Sequence, residues 1–249
     1  MIVTIDIGNT TISLTAFDAQ GIPQLVHKVA SNRNLTADDF YQQIQSFFSF
    51  PVVGSILSSV VPSLTEVVCE GFVQATGILP YCIDANTTLP LKISGYDTSN
   101  LGTDRLVDCI AALQIQKPPF ALFDMGTATT LSVVDENSAF IGGMILTGLQ
   151  LGVDALSANT AQLPKVSFTQ PKQIIGIDTL SCMQNGALYG TACAIEGIFD
   201  RIQKQLDMPL ALVLTGGMAK HILPLLQCQY TYDPHLQAKG LYYFYKTCY

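Results

Sequence analysis

One short pattern occurs twice, and it limits the folds open to this chain more than any other feature. Asp6-Ile7-Gly8-Asn9-Thr10-Thr11 closes one apolar strand, and Asp124-Met125-Gly126-Thr127-Ala128-Thr129-Thr130 closes another. Each runs on into an alternating segment, with Ile12, Leu14 and Ala16 after the first and Leu131 and Val133 after the second. Alternation at period two puts one face of a strand in a core. Strand, Asp-x-Gly turn, strand therefore appears twice, about one domain length apart. A duplicated α/β domain with a cleft between the halves is the simplest arrangement that explains the repeat.

The surrounding punctuation agrees with α/β organisation. Strands are expected to Ile7, over Ile12 to Phe17, and over Leu25 to Val29, with Asp18-Ala19-Gln20-Gly21 as a turn. Thr36 suits an N-cap, with Asp38 and Asp39 in the first turn and Phe40, Ile44, Phe47 and Phe48 as an apolar helical stripe. A strand over Val52 to Leu57 and a helix opened by Pro62 follow. Residues 84–101 are polar and loop-like, and a helix starting near Thr103 carries Leu106, Ile110 and Leu113. Lys117-Pro118-Pro119 stops it and marks a domain boundary, giving domains 1–117 and 118–249. The second block holds a strand from Phe120, a long helix around Leu180 to Leu206, a strand over Leu210 to Leu214, and Gly216-Gly217 before another helix.

The two turns have the composition of a phosphate-binding hairpin. Glycine lets the backbone approach phosphate oxygens, while threonine and asparagine side chains donate to them. A carboxylate at the strand end holds a hard cation, usually through water, which offsets the phosphate charge. Asp6, Gly8, Asn9, Thr10 and Thr11 form this set in the first half, and Asp124, Gly126, Thr127, Thr129 and Thr130 form it in the second. Thr215-Gly216-Gly217 suits a strand-to-helix turn where an adenosine could lie. No Walker A and no G-x-G-x-x-G pattern is present, so P-loop and Rossmann readings lack support.

Charge and cysteine usage exclude other classes. A net charge of -7 with only 12 Lys plus Arg and no basic cluster argues against nucleic acid as a partner. The longest apolar stretches are too short to span a bilayer, so no membrane partner is expected. Met1 leads directly into Ile2-Val3-Thr4-Ile5 with no basic segment before it, which points to a cytoplasmic location. Seven cysteines without a C-x-x-C pair, and three scattered histidines, argue against zinc; buried free thiols in a reducing compartment are expected.

The paired Asp-x-Gly turns resemble the superfamily of actin, sugar and acetate kinases, and heat-shock ATPases. That resemblance implies two related actin-like (ribonuclease H-like) α/β domains with ATP between them. Between the turns stand Gly95-Tyr96-Asp97 and Leu101-Gly102-Thr103-Asp104-Arg105-Leu106. A carboxylate beside a guanidinium at a helix start suits a general base for a hydroxyl and a clamp for a carboxylated substrate. By itself the pair is equally a capped helix with a surface ion pair.

Here the sequence is similar to type III pantothenate kinases. These carry an Asp-x-Gly-Asn-Thr start, a Tyr before Gly-x-Asp-Arg, and Asp-x-Gly-Thr-Ala-Thr-Thr some twenty residues on. Gly142-Gly143, Thr160-Ala161-Gln162-Leu163-Pro164, Ile175 to Thr179, Gly186 and Tyr189-Gly190 also match. The resemblance implies ATP-dependent phosphorylation of pantothenate to 4'-phosphopantothenate, the first step of coenzyme A biosynthesis. It implies Asp104 as the proton acceptor, with Tyr96, Gly102, Thr103, Arg105 and Thr179 around pantothenate. Arg105 would face the substrate carboxylate, and Thr179 would belong to a pocket completed across a homodimer interface. ATP contacts fall on Asp6, Ile7, Gly8, Asn9, Thr10, Thr11, Ile12, Ser13 and Thr127. Asp6 would carry hydrated Mg²⁺, and Asp124 a monovalent cation, K⁺ or NH₄⁺.

Two positions depart from that pattern. Thr147-Gly148 stands where Pro-Gly is usual, and Thr103 where Ala or Val is usual. Two alternatives remain at this point: a kinase of the same fold for another small carboxylate or sugar, and a non-catalytic nucleotide-binding accessory regulator.

Overall fold

The computed structural model describes residues 1–83, 87–99, 101–160 and 162–248. Residues 84–86 and 100 of the expected loop, and Ala161 of the Thr160–Pro164 motif, lie outside the described residues. In chain order the elements are β1 (Ile2–Ile7), β2 (Thr11–Phe17), β3 (Pro23–Ala30), α1 (Ala37–Ile44), β4 (Gly54–Ser59), α2 (Pro62–Thr76), β5 (Tyr81–Cys82), β6 (Lys92–Ile93) and α3 (Thr103–Ile115). There follow β7 (Phe120–Met125), β8 (Ala128–Val134), β9 (Ala139–Thr147), α4 (Leu149–Ala158), α5 (Thr179–Leu206), β10 (Ala211–Thr215), α6 (Ala219–Ile222), β11 (Thr231–Tyr232) and α7 (Leu236–Cys248).

The duplication seen in the turns extends to topology. One sheet has the order β3-β2-β1-β4-β5, and the other β9-β8-β7-β10-β11 with β6 added at its β9 edge. In each, the strand before the Asp-x-Gly turn pairs antiparallel with the strand after it and parallel with a later one. Register repeats as well. Asp6 lies between Ser13 and Ser58, and Asp124 between Thr130 and Thr215. Both units thus set a strand-end aspartate between hydroxyl residues on its two neighbours.

In the first sheet, Val3, Ile5, Ile7, Ile12, Leu14 and Leu57 pack with Phe40 and Ile44 of α1 and Leu64, Val68 and Phe72 of α2. Alternation sends Ile56 to the opposite face, where it meets Val107 of α3 and Leu241 and Phe244 of α7. Asp6 and Ser58 share the parity of that second face, so they fall on the side covered by α3 and α7. The second sheet buries Phe123, Met125, Leu131, Leu212 and Leu214 against Leu188, Ala192, Ile195 and Phe199 of α5.

The chain groups into two compact units: Met1–Lys92, Asp97–Ile115 and His235–Tyr249 in one, Ile93–Tyr96 and Gln116–Pro234 in the other. The sequence divides once, after Lys117; the units change over at Gln116, and they also exchange a four-residue piece and the C-terminal helix. The physical reason for the second exchange is packing. α7 carries Leu236, Leu241, Tyr242 and Phe244, all buried, and Gly240 lets its backbone close on Val107 of α3.

Several local expectations shift. Thr36 does cap α1, accepting from Asp39 N in a capping box, but the α-helix ends at Ile44, a 3-10 turn covers Gln45–Phe47, and Phe48 lies beyond it. The fourth strand begins at Gly54 rather than Val52, and the polar loop contains the short strand β6. The helix after Gly216-Gly217 is a single turn, too short for a dipole-based anion site. The expectation of buried thiols is also corrected: Cys109 is buried, whereas Cys82, Cys182, Cys193 and Cys248 are exposed and Cys69 and Cys228 half-buried. No described helix is long and apolar enough to cross a membrane.

Candidate active site

In the first unit the Asp6–Thr11 turn is held by its carbonyls. Gly8 N donates to Thr11 O at 3.0 Å, Ser31 N to Thr10 O at 3.0 Å, and Ser31 Oγ to Gly8 O at 2.6 Å. Asn9 and Thr10 at the tip are exposed, while Ile7 and Ile12 on either side are fully buried and anchor the hairpin. Ser13 is the cross-strand partner of Asp6. Asp6 is half-buried, and its Oδ1 accepts from Gln237 Nε2 of α7 at 3.0 Å.

The start of α3 joins the same face. Ser58, fully buried at the end of β4, has its Oγ 3.4 Å from Thr103 Oγ1. Asp104 is half-buried at the second helical position, and its Oδ1 accepts from Arg105 N at 2.9 Å. Any Cβ on Gly102 would run into that same Asp104 oxygen, so glycine is needed there for the carboxylate to sit where it does. Arg105 is buried, not displayed at the surface as an ordinary helix-start ion pair would be. Asp6, Ser13, Ser58, Thr103 and Asp104 therefore form one row from the hairpin to α3.

In the second unit, two glycines, Gly148 and Gly216, bring backbone against the other turn. Gly126 N donates to Ala128 O at 3.0 Å, and Thr127 is exposed. A Cβ on Gly148 would overlap the carbonyl of Thr127, so the chain leaving β9 passes in direct contact with the turn. Gly216, at φ +92°, would place a Cβ 2.5 Å from both Asp124 Oδ1 and Met125 N. Met218 N donates to Met125 O at 3.0 Å. The Thr215-Gly216-Gly217 element thus lies beside Asp124, and Gly217 faces open space.

Tyr96 also belongs to this unit. Its ring meets Phe140 edge-on, centroids 5.2 Å apart, and a Cβ on Gly142 (φ +126°) would lie 3.4 Å from Tyr96 Cδ2. Thr179 is the exposed first residue of α5, following Asp178, whose carboxylate accepts from Ser181 N at 2.7 Å. That bond and the Ser181 hydroxyl hold the Asp178 carboxyl below the usual carboxylate range.

Ser31, Ser58 and Gln237 are not among the site residues expected from the sequence. Ser58 carried a signal, since it lies at the end of the strand paralleling β1. Gln237 carried none, because nothing local relates it to Asp6.

Two sheets of matching strand order, each with an aspartate-glycine turn, define the actin-like α/β fold. A solved ROK family glucokinase from Streptomyces griseus, in complex with glucose and AMPPNP, shares it at TM-score 0.52 and 11% identity, over 98% of this chain and 99% of that one. A Baf family protein from Campylobacter jejuni matches at TM-score 0.57 and 20% identity, over 99% and 98% of the two chains. The model for type III pantothenate kinases matches residues 2–201, and the chain belongs to that family. The type III pantothenate kinase of Sulfurihydrogenibium sp. (strain YO3AOP1) is 33% identical over 98% of each chain.

Proposed function

We propose that this chain transfers the γ-phosphoryl group of ATP to the hydroxyl of pantothenate, giving 4'-phosphopantothenate for coenzyme A synthesis. Family membership across nearly the whole chain carries the reading. The hydroxyl loses its proton to Asp104 as its oxygen bonds to the γ-phosphorus, and the bond to the β-phosphate oxygen breaks. The contact between buried Ser58 and half-buried Thr103 supports Asp104 by helping to hold the first turn of α3 in place. Arg105 is assigned to the pantothenate carboxylate, together with Tyr96, Gly102, Thr103 and Thr179. ATP is assigned to the Asp6–Ser13 turn and Thr127, where glycine-permitted close approach and exposed hydroxyls suit phosphate oxygens.

The residues present fit hydrated cations. Among the described residues no three His, Cys, Asp or Glu side chains gather to form a closed metal cage. A single half-buried carboxylate such as Asp6, with one oxygen fixed by Gln237, suits Mg²⁺ that keeps water and phosphate oxygens as its other ligands. Asp124, beside Gly216, is assigned to K⁺ or NH₄⁺. When bound, these cations would neutralise charge on the transferring phosphoryl group.

A homodimer and a cytoplasmic location complete the proposal. For the dimer, Ile174, Ile175, Ile177 and Leu180 are exposed apolar residues flanking Thr179 in the chain, and Leu151 and Leu156 of α4 are exposed as well. The location follows from the use of ATP. The deciding assay is ATP-dependent phosphorylation of pantothenate, with and without K⁺, alongside sugars and acetate. No phosphopantothenate under either condition refutes the reading.

A further inference from the structure

On the α2-covered side of the first sheet, opposite the face of Asp6 and Ser58, Cys69 on α2 and Cys82 in β5 bring their Sγ atoms to 3.5 Å. Cys82 is exposed on the edge strand of its sheet, and Cys69 is half-buried. A groove of about 480 Å³, lined by Glu66, Cys69, Glu70, Val73, Gln74 and Leu79, runs alongside. We propose that Cys69 and Cys82 form a modification site, a dithiol that a neutral hydroperoxide closes reversibly to a disulfide.

The pair divides into an attacking and a resolving sulfur. The hydrogen bond from Cys69 lowers the Cys82 thiol to about 7, against the opposing effect of burial. The same bond, burial and the negative charges of Cys82 and Glu66 push Cys69 up. Cys82 thiolate attacks one peroxide oxygen, the O–O bond breaks, and Cys82 becomes a sulfenic acid as hydroxide leaves. The Cys69 proton passes to that hydroxide; the Cys69 sulfur then bonds to the Cys82 sulfur and expels the second hydroxide, which takes a proton from solvent. Two thiols and one hydrogen peroxide give one disulfide and two waters, with two electrons passing from sulfur to oxygen.

Geometry permits the closure. The sulfurs must approach from 3.5 Å to about 2.05 Å, a movement within reach of side-chain rotation on a two-residue edge strand. Glu66 and Glu70 line the groove and disfavour an anionic disulfide such as oxidised glutathione. Disulfides of this transient kind are the ones found in reducing compartments.

The test treats the reduced full chain with hydrogen peroxide, blocks remaining thiols with N-ethylmaleimide, and maps peptides by mass. The expected product is a linked peptide pair joining Cys69 to Cys82, reversed by dithiothreitol and absent from C69S and C82S. In C69S, dimedone should trap a sulfenic acid on Cys82. Closure should be on the order of tenfold slower with an equal concentration of oxidised glutathione. Recovery of Cys69 and Cys82 as maleimide adducts while Cys182 or Cys193 is oxidised would overturn the proposal. So would sulfinic acid on Cys82 without linkage. Equal or faster closure by oxidised glutathione would overturn the choice of a neutral oxidant.

Discussion

Gln237 donates from Nε2 to Oδ1 of Asp6 at 3.0 Å, across 231 residues of sequence. One oxygen of the carboxylate at the end of β1 is therefore oriented by the second residue of α7. If Asp6 carries hydrated Mg²⁺, loss of this bond removes one restraint on the orientation of the carboxylate. Gln237→Ala should raise the Mg²⁺ concentration for half-maximal rate roughly fivefold while the protein stays folded. Gln237→Glu also loses the donor but adds a negative charge that attracts the cation, so its requirement should stay below that of Gln237→Ala. Initial-rate Mg²⁺ titrations check both; an unchanged requirement in Gln237→Ala removes the residue from this role.

Asp104→Asn keeps the side-chain shape and an oxygen able to accept from Arg105 N, but it removes the basic carboxylate. Turnover should fall by about 10² to 10⁴-fold with circular dichroism unchanged. Near-normal activity would exclude Asp104 as proton acceptor.

The glycines of the second unit make a graded comparison. Gly216→Ala adds a Cβ at φ +92° against Asp124 and Met125, and strain of this kind costs about 1–3 kcal/mol. Gly148→Ala would collide with Thr127. Both variants should lose activity and melt lower, whereas Gly217→Ala, whose added Cβ meets no protein atom, should keep the parent's melting temperature. Parallel melting curves and steady-state rates distinguish the three.

The Cys82 thiol has a pH signature. Its pKa is lowered to about 7, so its thiolate fraction rises through neutral pH and levels off before an ordinary cysteine, near ~8.5, is half ionised. Iodoacetamide labelling of Cys82 should accelerate between pH 6 and pH 8, roughly, and then plateau. Cys69→Ala removes the hydrogen bond responsible and should move the midpoint upward. A midpoint near that of an ordinary thiol in the parent protein would contradict the assignment.

Leu241 of α7 is fully buried beside Ile56 and Val107. Leu241→Ala should destabilise the first unit by about 2–5 kcal/mol, measured by urea denaturation. Removing α7 altogether should expose the face of the sheet that carries Asp6 and Ser58.

Much of the fold was legible because its signals are local. The hydrophobic alternation of Ile12, Leu14 and Ala16, the cap at Thr36 and the proline opening α2 each involve neighbours within a few residues. The short strands β5, β6 and β11 were not legible, since two residues carry no period. The exposure of most cysteines was likewise hidden, because composition does not say which face a thiol occupies.

By itself, the sequence determined that a strand, an Asp-x-Gly turn and a second strand occur twice, and the fold class follows from that repeat. Tertiary structure alone decided what surrounds each aspartate. Strand pairing set Ser58 and Thr215 beside Asp6 and Asp124, and packing brought α7 back to β1 with Gln237 at the carboxylate. Close backbone approach at Gly148 and Gly216 likewise exists only once distant strands are adjacent. Local periodicity specifies an element and its buried face, but a pairing between distant segments depends on which faces the completed core brings together.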